Sequence, residues 1–286
     1  MTGAPRVALT LTQVAHRVPG GTATSVVRLA GALLGTGAVD LTAVLARGDL
    51  RHPASMLRGG GRVTAASLPP GLRTATTSLP LPLLYDAWAR WGRPSVPSAT
   101  GPVDLVHVTV PLRVGVADVP FVATVHDLFP LTRPDDFTTR GARLMRGGLE
   151  WVLQHARAVM VPSATVAAAC VEHGVAPDDV SVVPWGSDPT PADLHRVDAV
   201  RRRHGLVGPY VLFVGTVEPR KNLAGLLAAV ARLDRPELTV AVVGPAGWGE
   251  ELDVVAAGLA SPVARLGHVP DDDLPDHRRR MENRRN

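Results

Sequence analysis

Short apolar runs rich in valine and leucine recur along the chain, and each is followed by a stretch whose apolar positions return every three or four residues. The switch between these two periods predicts βα units around a parallel sheet, and so an α/β fold class. Arg6 to Val14 reads as a first strand, followed by a Gly20-Gly21 turn and a helix over Thr22 to Leu34. Further strands are expected at Leu41 to Ala46, Leu105 to Val110, Phe121 to His126, Ala158 to Val161 and Val180 to Val183, with helices at Leu83 to Trp91, Arg140 to His155 and Ser163 to His173. Gly48 to Gly71, rich in glycine and proline, gives no clear element, and Trp88 and Trp91 read as packing residues.

Trp185 to Ala192, with two prolines and polar residues, interrupts this rhythm as a linker. It divides the chain into domains at 1–186 and 187–286. In the second domain, strands are expected at Tyr210 to Gly215, Leu238 to Gly244 and Val263 to Gly267, with helices at Asn222 to Leu233 and around Glu250 to Ala260.

Composition narrows the classes. With 286 residues, 45% hydrophobic and 20% charged, the chain suits two globular domains and no disordered tract. No apolar stretch is long enough to span a bilayer, and His16 and Arg17 interrupt the N-terminal run, so no signal peptide is expected and the cytoplasm is the expected compartment. The single cysteine, Cys170, excludes an internal disulfide and a multi-cysteine metal site, and it reads as a small core residue. A net charge of +4 permits peripheral membrane contact. Arg201 to Arg203 and Arg278 to Arg280 lack interleaved aromatics, so they read as solvated surface and nucleic acid is not an expected partner.

The strongest local signal runs from the strand at Val211 through Gly215-Thr216-Val217-Glu218-Pro219-Arg220-Lys221-Asn222. Such a strand, glycine turn, cation pair and capped helix start is an arrangement that binds phosphate, because ligands lie beyond the carboxyl ends of strands in α/β folds. The 30 basic residues are all arginine except Lys221. An ammonium acts on phosphate as a point charge and its arginine neighbour as a bidentate donor, so the pair suits a diphosphate; a solvated helix start would use the same residue types. His126 and Asp127 stand where a predicted strand ends and a loop begins, where an imidazole can orient a hydroxyl, although a structural His-Asp pair would look alike. Gly20 and Gly21 would let backbone amides approach a ligand, or make an ordinary turn.

Taken in order, the Gly20-Gly21 loop, His126-Asp127-Leu128-Phe129-Pro130-Leu131, Val161-Pro162-Ser163, Val182-Val183-Pro184-Trp185-Gly186 and the Gly215 to Asn222 motif resemble family 4 retaining glycosyltransferases, most of all their mannosyltransferase-like branch. Val243-Gly244-Pro245, Gly247-Trp248-Gly249 and Leu266-Gly267-His268-Val269-Pro270 extend that resemblance. It implies a GT-B architecture, two Rossmann-like domains facing a cleft, that transfers a sugar from a nucleotide diphosphate sugar without a metal or other cofactor. By resemblance Arg220, Lys221 and Gly215 would bind the donor diphosphate, His126 and Asp127 would be catalytic, with His126 near the reacting carbon, and Gly20 and Gly21 would border donor and acceptor. GDP-mannose is the favoured donor, and a glycan, a lipid-linked glycan or a small molecule is the implied acceptor.

The family pattern then continues to a glycine-rich loop and a glutamate pair. Here Asp271-Asp272-Asp273 leads into Arg278-Arg279-Arg280, and Glu218, Glu237, Glu250, Glu251 and Glu282 do not have the pair's spacing. The second domain is therefore expected to be incomplete through a frameshift or early stop, with little transfer activity, and an inactive remnant or sugar-nucleotide-binding protein is the alternative. A dinucleotide oxidoreductase is disfavoured, because the opening strand lacks a Gly-x-Gly-x-x-Gly turn.

Overall fold

The computed structural model describes residues 3–16, 20–49, 68–186, 194–247, 256, 259–267 and 269. Residues 50–67 of the unassigned stretch, Pro19, Trp248, Gly249, His268, Pro270, the expected helix at 250–260 except residues 256, 259 and 260, and everything after 270 lie outside them. Two compact units are present, 1–186 and 187–286.

In the first unit, strands β1 (Arg6–Thr10), β2 (Asp40–Leu45), β3 (Arg73–Thr76), β4 (Leu105–Val108), β5 (Phe121–Thr124), β6 (Ala158–Val161) and β7 (Val180–Val182) form one parallel sheet in the order β3-β2-β1-β4-β5-β6-β7. Its helices are α1 (Gly20–Thr36), α2 (Leu81–Trp91), α3 (Pro97–Thr100), α4 (Phe129–Thr132), α5 (Thr139–His155) and α6 (Ala164–Glu172). Both faces of the sheet are covered. Val7, Leu9, Leu41, Ala43 and Leu45 pack with Ala23, Val26 and Ala30 of α1. The alternate residues Ala8 and Val44 join Val106, Val108, Ala123, Val125, Val159 and Val161 against Trp88 of α2, Leu149 and Val152 of α5 and Cys170 of α6. Burial on two faces is why these strands read as unbroken apolar runs.

The second unit has α7 (Leu194–Arg203), β8 (Tyr210–Val214), α8 (Leu223–Ala231), β9 (Thr239–Val243) and β10 (Val263–Gly267), with a parallel sheet in the order β10-β9-β8. Leu223, Leu227 and Val230 of α8 cover Val240 and Val242. No helix among the described residues is long and apolar enough to cross a membrane.

Several expectations need correction. The first strand stops at Thr10, and Thr12–Ala15 is a 3-10 turn. Leu11 and Val14 are apolar because they are buried, not because they pair in the sheet. Gly20 and Gly21 are not a separate turn but the first residues of α1, where N–H groups lack intrahelical partners and glycine costs a helix least. β3 was not expected: it is an edge strand whose side chains are mostly exposed, so no apolar run marks it. Nor was α7, and Arg201 within it is not solvated. Only 9% exposed, it donates to the carbonyls of Val207 (2.9 Å) and Gly208 (3.0 Å) and lies over the Tyr210 ring. Trp91 is 67% exposed and does not pack, whereas Trp88 is fully buried and its indole N–H donates to the Pro94 carbonyl at 2.7 Å.

Trp88→Ala should therefore cost the first unit about 3–5 kcal/mol, while Trp91→Ala should change stability by less than about 0.5 kcal/mol. Urea unfolding followed by circular dichroism measures both, and equal effects would contradict this assignment of the core.

Candidate functional site

Strand order in the first unit reverses direction between β1 and β4, the position in a doubly wound sheet where ligands gather beyond the carboxyl ends. At this point the chain places a buried clasp. Thr109, just past β4, donates its hydroxyl to the Thr10 carbonyl (2.6 Å), while its N–H donates to the Thr10 hydroxyl (3.0 Å). Gln13 Nε2 donates to Thr109 Oγ1 at 2.9 Å, and Gln13 Oε1 is buried without a hydrogen bond among the described residues.

His126 is tied to the same clasp. Its Nε2 lies 3.1 Å from the Thr109 carbonyl, so that nitrogen is the donor, and the neutral ring presents Nδ1 as an acceptor. The ring stacks on Trp185, with centroids 5.1 Å apart. Burial lowers the His126 pKa from its usual value, against the opposing pull of the Thr109 carbonyl and the Asp127 charge, which keeps the imidazole neutral at pH 7. Asp127 accepts from the Phe129 N–H at 3.0 Å and so fixes the turn into α4. It stands next to His126 in the chain but does visible structural work there.

Two other histidines lie near these strand ends. His107 Nε2 pairs with the Thr124 hydroxyl at 2.8 Å, and burial, helped by the neighbouring His126, pushes its pKa down to about 4. His16 Nε2 pairs with the Tyr85 hydroxyl at 2.8 Å, and Tyr85 donates in turn to Thr12 Oγ1 at 3.1 Å. Burial lowers the His16 pKa and raises that of Tyr85. Gly20 and Gly21 begin α1, and a Cβ added to either would meet no atom within 4 Å. The approach of backbone to ligand expected there is thus sterically open, but it is not enforced by packing.

In the second unit the motif after β8 is held from the side. Gly215 N–H donates to the Val243 carbonyl at 2.9 Å, and Val217 N–H to the Pro245 carbonyl at 3.1 Å. Gly244 must be bare, since a Cβ there would overlap the Gly215 carbonyl. Pro219–Lys221 forms a 3-10 turn, and Asn222, in the left-handed region at φ 51°, caps α8 by accepting from Gly225 N–H at 3.2 Å. Arg220 makes a 2.8 Å ion pair with Glu218, whose side chain is only 7% exposed. Lys221 is exposed, is in no ion pair among the described residues, and its Cε passes over Gly215.

The structure thus gathers Gly215, Arg220 and Lys221 in one loop of the second unit, and His126 with Asp127 at the strand ends of the first. Sequence reasoning missed Glu218, although a carboxylate two positions before an arginine in an extended turn was a usable signal. It also missed the clasp of Thr10, Gln13 and Thr109, which no local pattern announces. Among the described residues no cluster of His, Cys, Asp and Glu could hold a metal ion.

Comparison with known proteins agrees with this architecture. Glycosyltransferase Family 4 matches residues 19–191. The O-antigen chain mannosyltransferase B of Escherichia coli is 30% identical over 164 residues, which are 54% of this chain and 43% of that protein, so the chain spans less than half the length of this curated relative. HepE of Anabaena, solved with UDP and glucose, superposes with a TM-score of 0.65 at 18% identity over 96% of this chain and 71% of its own. Sucrose-phosphate synthase of Thermosynechococcus elongatus gives a TM-score of 0.65 at 18% identity over 96% of this chain and 73% of its own. At such identities the likeness is one of fold, the α/β fold of GT-B glycosyltransferases.

The buried histidines make stability depend on pH. Unfolded histidine takes up a proton near pH 6.5, whereas folded His107 resists until about 4. Between these values the unfolded state binds more protons, so the stabilisation present above pH 6.5 is lost as pH falls towards 4. The urea midpoint of the first unit should drop across that window. His107→Gln, which retains an amide for Thr124, should flatten the drop, and an unchanged slope would assign it to other groups.

Proposed function

We propose a sugar-transfer function from one premise: the chain belongs to Glycosyltransferase Family 4. The reaction is transfer of a hexose from a nucleotide diphosphate sugar to a glycan, lipid-linked or small-molecule acceptor, with retention of configuration. The observation that carries this reading is the loop after β8, where the only lysine of the chain stands exposed beside a glycine turn and a capped helix. There Lys221 offers a point charge to the donor diphosphate and stabilises the charge that grows on the leaving group. Arg220, committed on one side to Glu218, holds the turn and adds guanidinium charge to it.

In the first unit His126 is the proposed polar contact to the donor sugar. As a neutral ring with its proton on Nε2, it accepts a sugar hydroxyl at Nδ1 instead of acting as a strong acid. Its orientation is fixed by the Thr109 carbonyl and the Trp185 face. Asp127 is proposed to assist through its charge next to that ring, and Gly20 and Gly21 to leave the first loop open to substrate. Mannose carried on GDP is the donor supported by the 30% identity to a mannosyltransferase. HepE, bound to UDP and glucose, makes the uridine sugar the competitor to test. No resident cofactor enters the reaction as proposed, and nucleic acid is not a proposed partner. The site of action proposed is the cytoplasm, at the inner face of the membrane when the acceptor is lipid-linked.

Calorimetric titration of this chain with GDP-mannose and UDP-glucose tests the donor assignment. Lys221→Ala should weaken nucleotide-sugar binding by about 10- to 100-fold, the loss of one charge-assisted contact; unchanged affinity would remove Lys221 from the site. Lys221 is the sharper choice, because Arg220→Ala also leaves the buried Glu218 carboxylate unpaired and so unsettles the loop. His126→Ala should lower turnover while leaving donor affinity within a few-fold, and a normal rate would return His126 to a purely structural role.

A further inference from the structure

The first unit carries a second concentration of charge that the sugar-transfer site does not use. Between α2 and α5 lies a groove of about 450 Å³ lined by Arg90, Arg113, Arg140 and Arg143. Its single carboxylate, Asp86, is paired with Arg140 at 2.8 Å. Among the described residues Arg90, Arg113 and Arg143 take part in no ion pair, and all three are exposed.

Packing creates the convergence. α5 lies so close to the loop after β4 that a Cβ on Gly148 would overlap the backbone of Leu112 and the Pro111 carbonyl. That approach sets Arg113 beside the arginines of α5, while its guanidinium also lies over Gly92 at the end of α2. Leu144 and Trp151 give the groove an apolar side, and Trp151 is itself held by stacking on Phe121 at 4.5 Å.

We propose that this groove binds a phosphate ester, a mono- or diphosphate joined to an organic body that lies along Leu144 and Trp151. Three unpaired guanidiniums exceed what one carboxylate can satisfy, whereas a phosphate carries about −1.5 to −2 charges and three acceptor oxygens suited to planar, bidentate donors. Among the described residues the one carboxylate of the groove, Asp86, is already engaged by Arg140, so the positive charge of the other three is left in excess. Binding of the phosphate is independent of the donor motif. Its role as the place where a phosphorylated acceptor is held rests on the sugar-transfer reading.

The test uses the full chain and inorganic pyrophosphate, titrated by calorimetry at low salt. Lys221→Ala first removes the contribution of the loop after β8, and in that background binding should persist. Adding Arg113→Gln and Arg143→Gln, both at exposed positions, should then lower affinity at least about tenfold with the circular dichroism spectrum unchanged. If that variant binds pyrophosphate as tightly as Lys221→Ala alone, the groove is not a phosphate site, and the donor assignment is untouched. If the groove arginines matter but Lys221→Ala leaves nucleotide-sugar binding intact, the groove stands and the donor assignment falls. Sedimentation with phosphatidylcholine vesicles, with and without a polyprenyl diphosphate, separates the sources. Capture only by the diphosphate-bearing vesicles, abolished in the arginine variant, assigns a lipid-borne ligand, and arginine-dependent pyrophosphate binding without capture assigns a soluble one.

Discussion

A parallel sheet covered by helices has to be apolar on both faces, and that constraint decides where polar chemistry can sit in this chain. Along β1 the residues Val7 and Leu9 serve one face and Ala8 the other, so the middle of the strand has no position free for a functional group. Polar side chains gather at the carboxyl ends, where Thr10 and Thr109 bond to each other and His126 bonds to the Thr109 carbonyl. The same rule acts in the second unit, where β9 is buried along most of its length and the charged loop begins only after β8 ends.

Those strand ends are not loose. A buried hydroxyl or amide costs free energy unless it is bonded, so Thr10, Thr109 and Gln13 bond to one another and to backbone in one compact cluster. His126 gains its orientation from the Thr109 carbonyl, and so from the junction of β1 and β4, two segments about a hundred residues apart in the chain. Burial does the remaining work by disfavouring the imidazolium, which leaves a ring that accepts as well as donates.

Charge is arranged by a different logic in each unit. After β8 the cations stand in a loop fastened to β9 by backbone hydrogen bonds, and Glu218 neutralises one of them, so Lys221 carries the exposed charge. In the groove between α2 and α5 the arginines come from three separate segments, and among the described residues only Arg140 has an acid partner. The first arrangement is local and the second is made by packing.

That difference also separates what could be read in the chain from what could not. Alternation of apolar runs with helical stripes determined the α/β class, most strands and the principal helices, because both periods follow from local geometry. The turn and capped helix start from Gly215 to Asn222 were legible for the same reason: the glycine, the turn and the Asn222 cap lie within eight consecutive residues. Edge strand β3 escaped because its side chains are exposed, and Arg201 was misread because its burial comes from Val207, Gly208 and Tyr210 folding back over it. Only the tertiary structure decided that Thr109 should hold His126, and that Arg90, Arg113, Arg140 and Arg143 should share one groove. Sequence alone fixes which residues are able to bond or carry charge; it takes the packing of distant segments to choose their partners and to exclude the water that would otherwise serve them all.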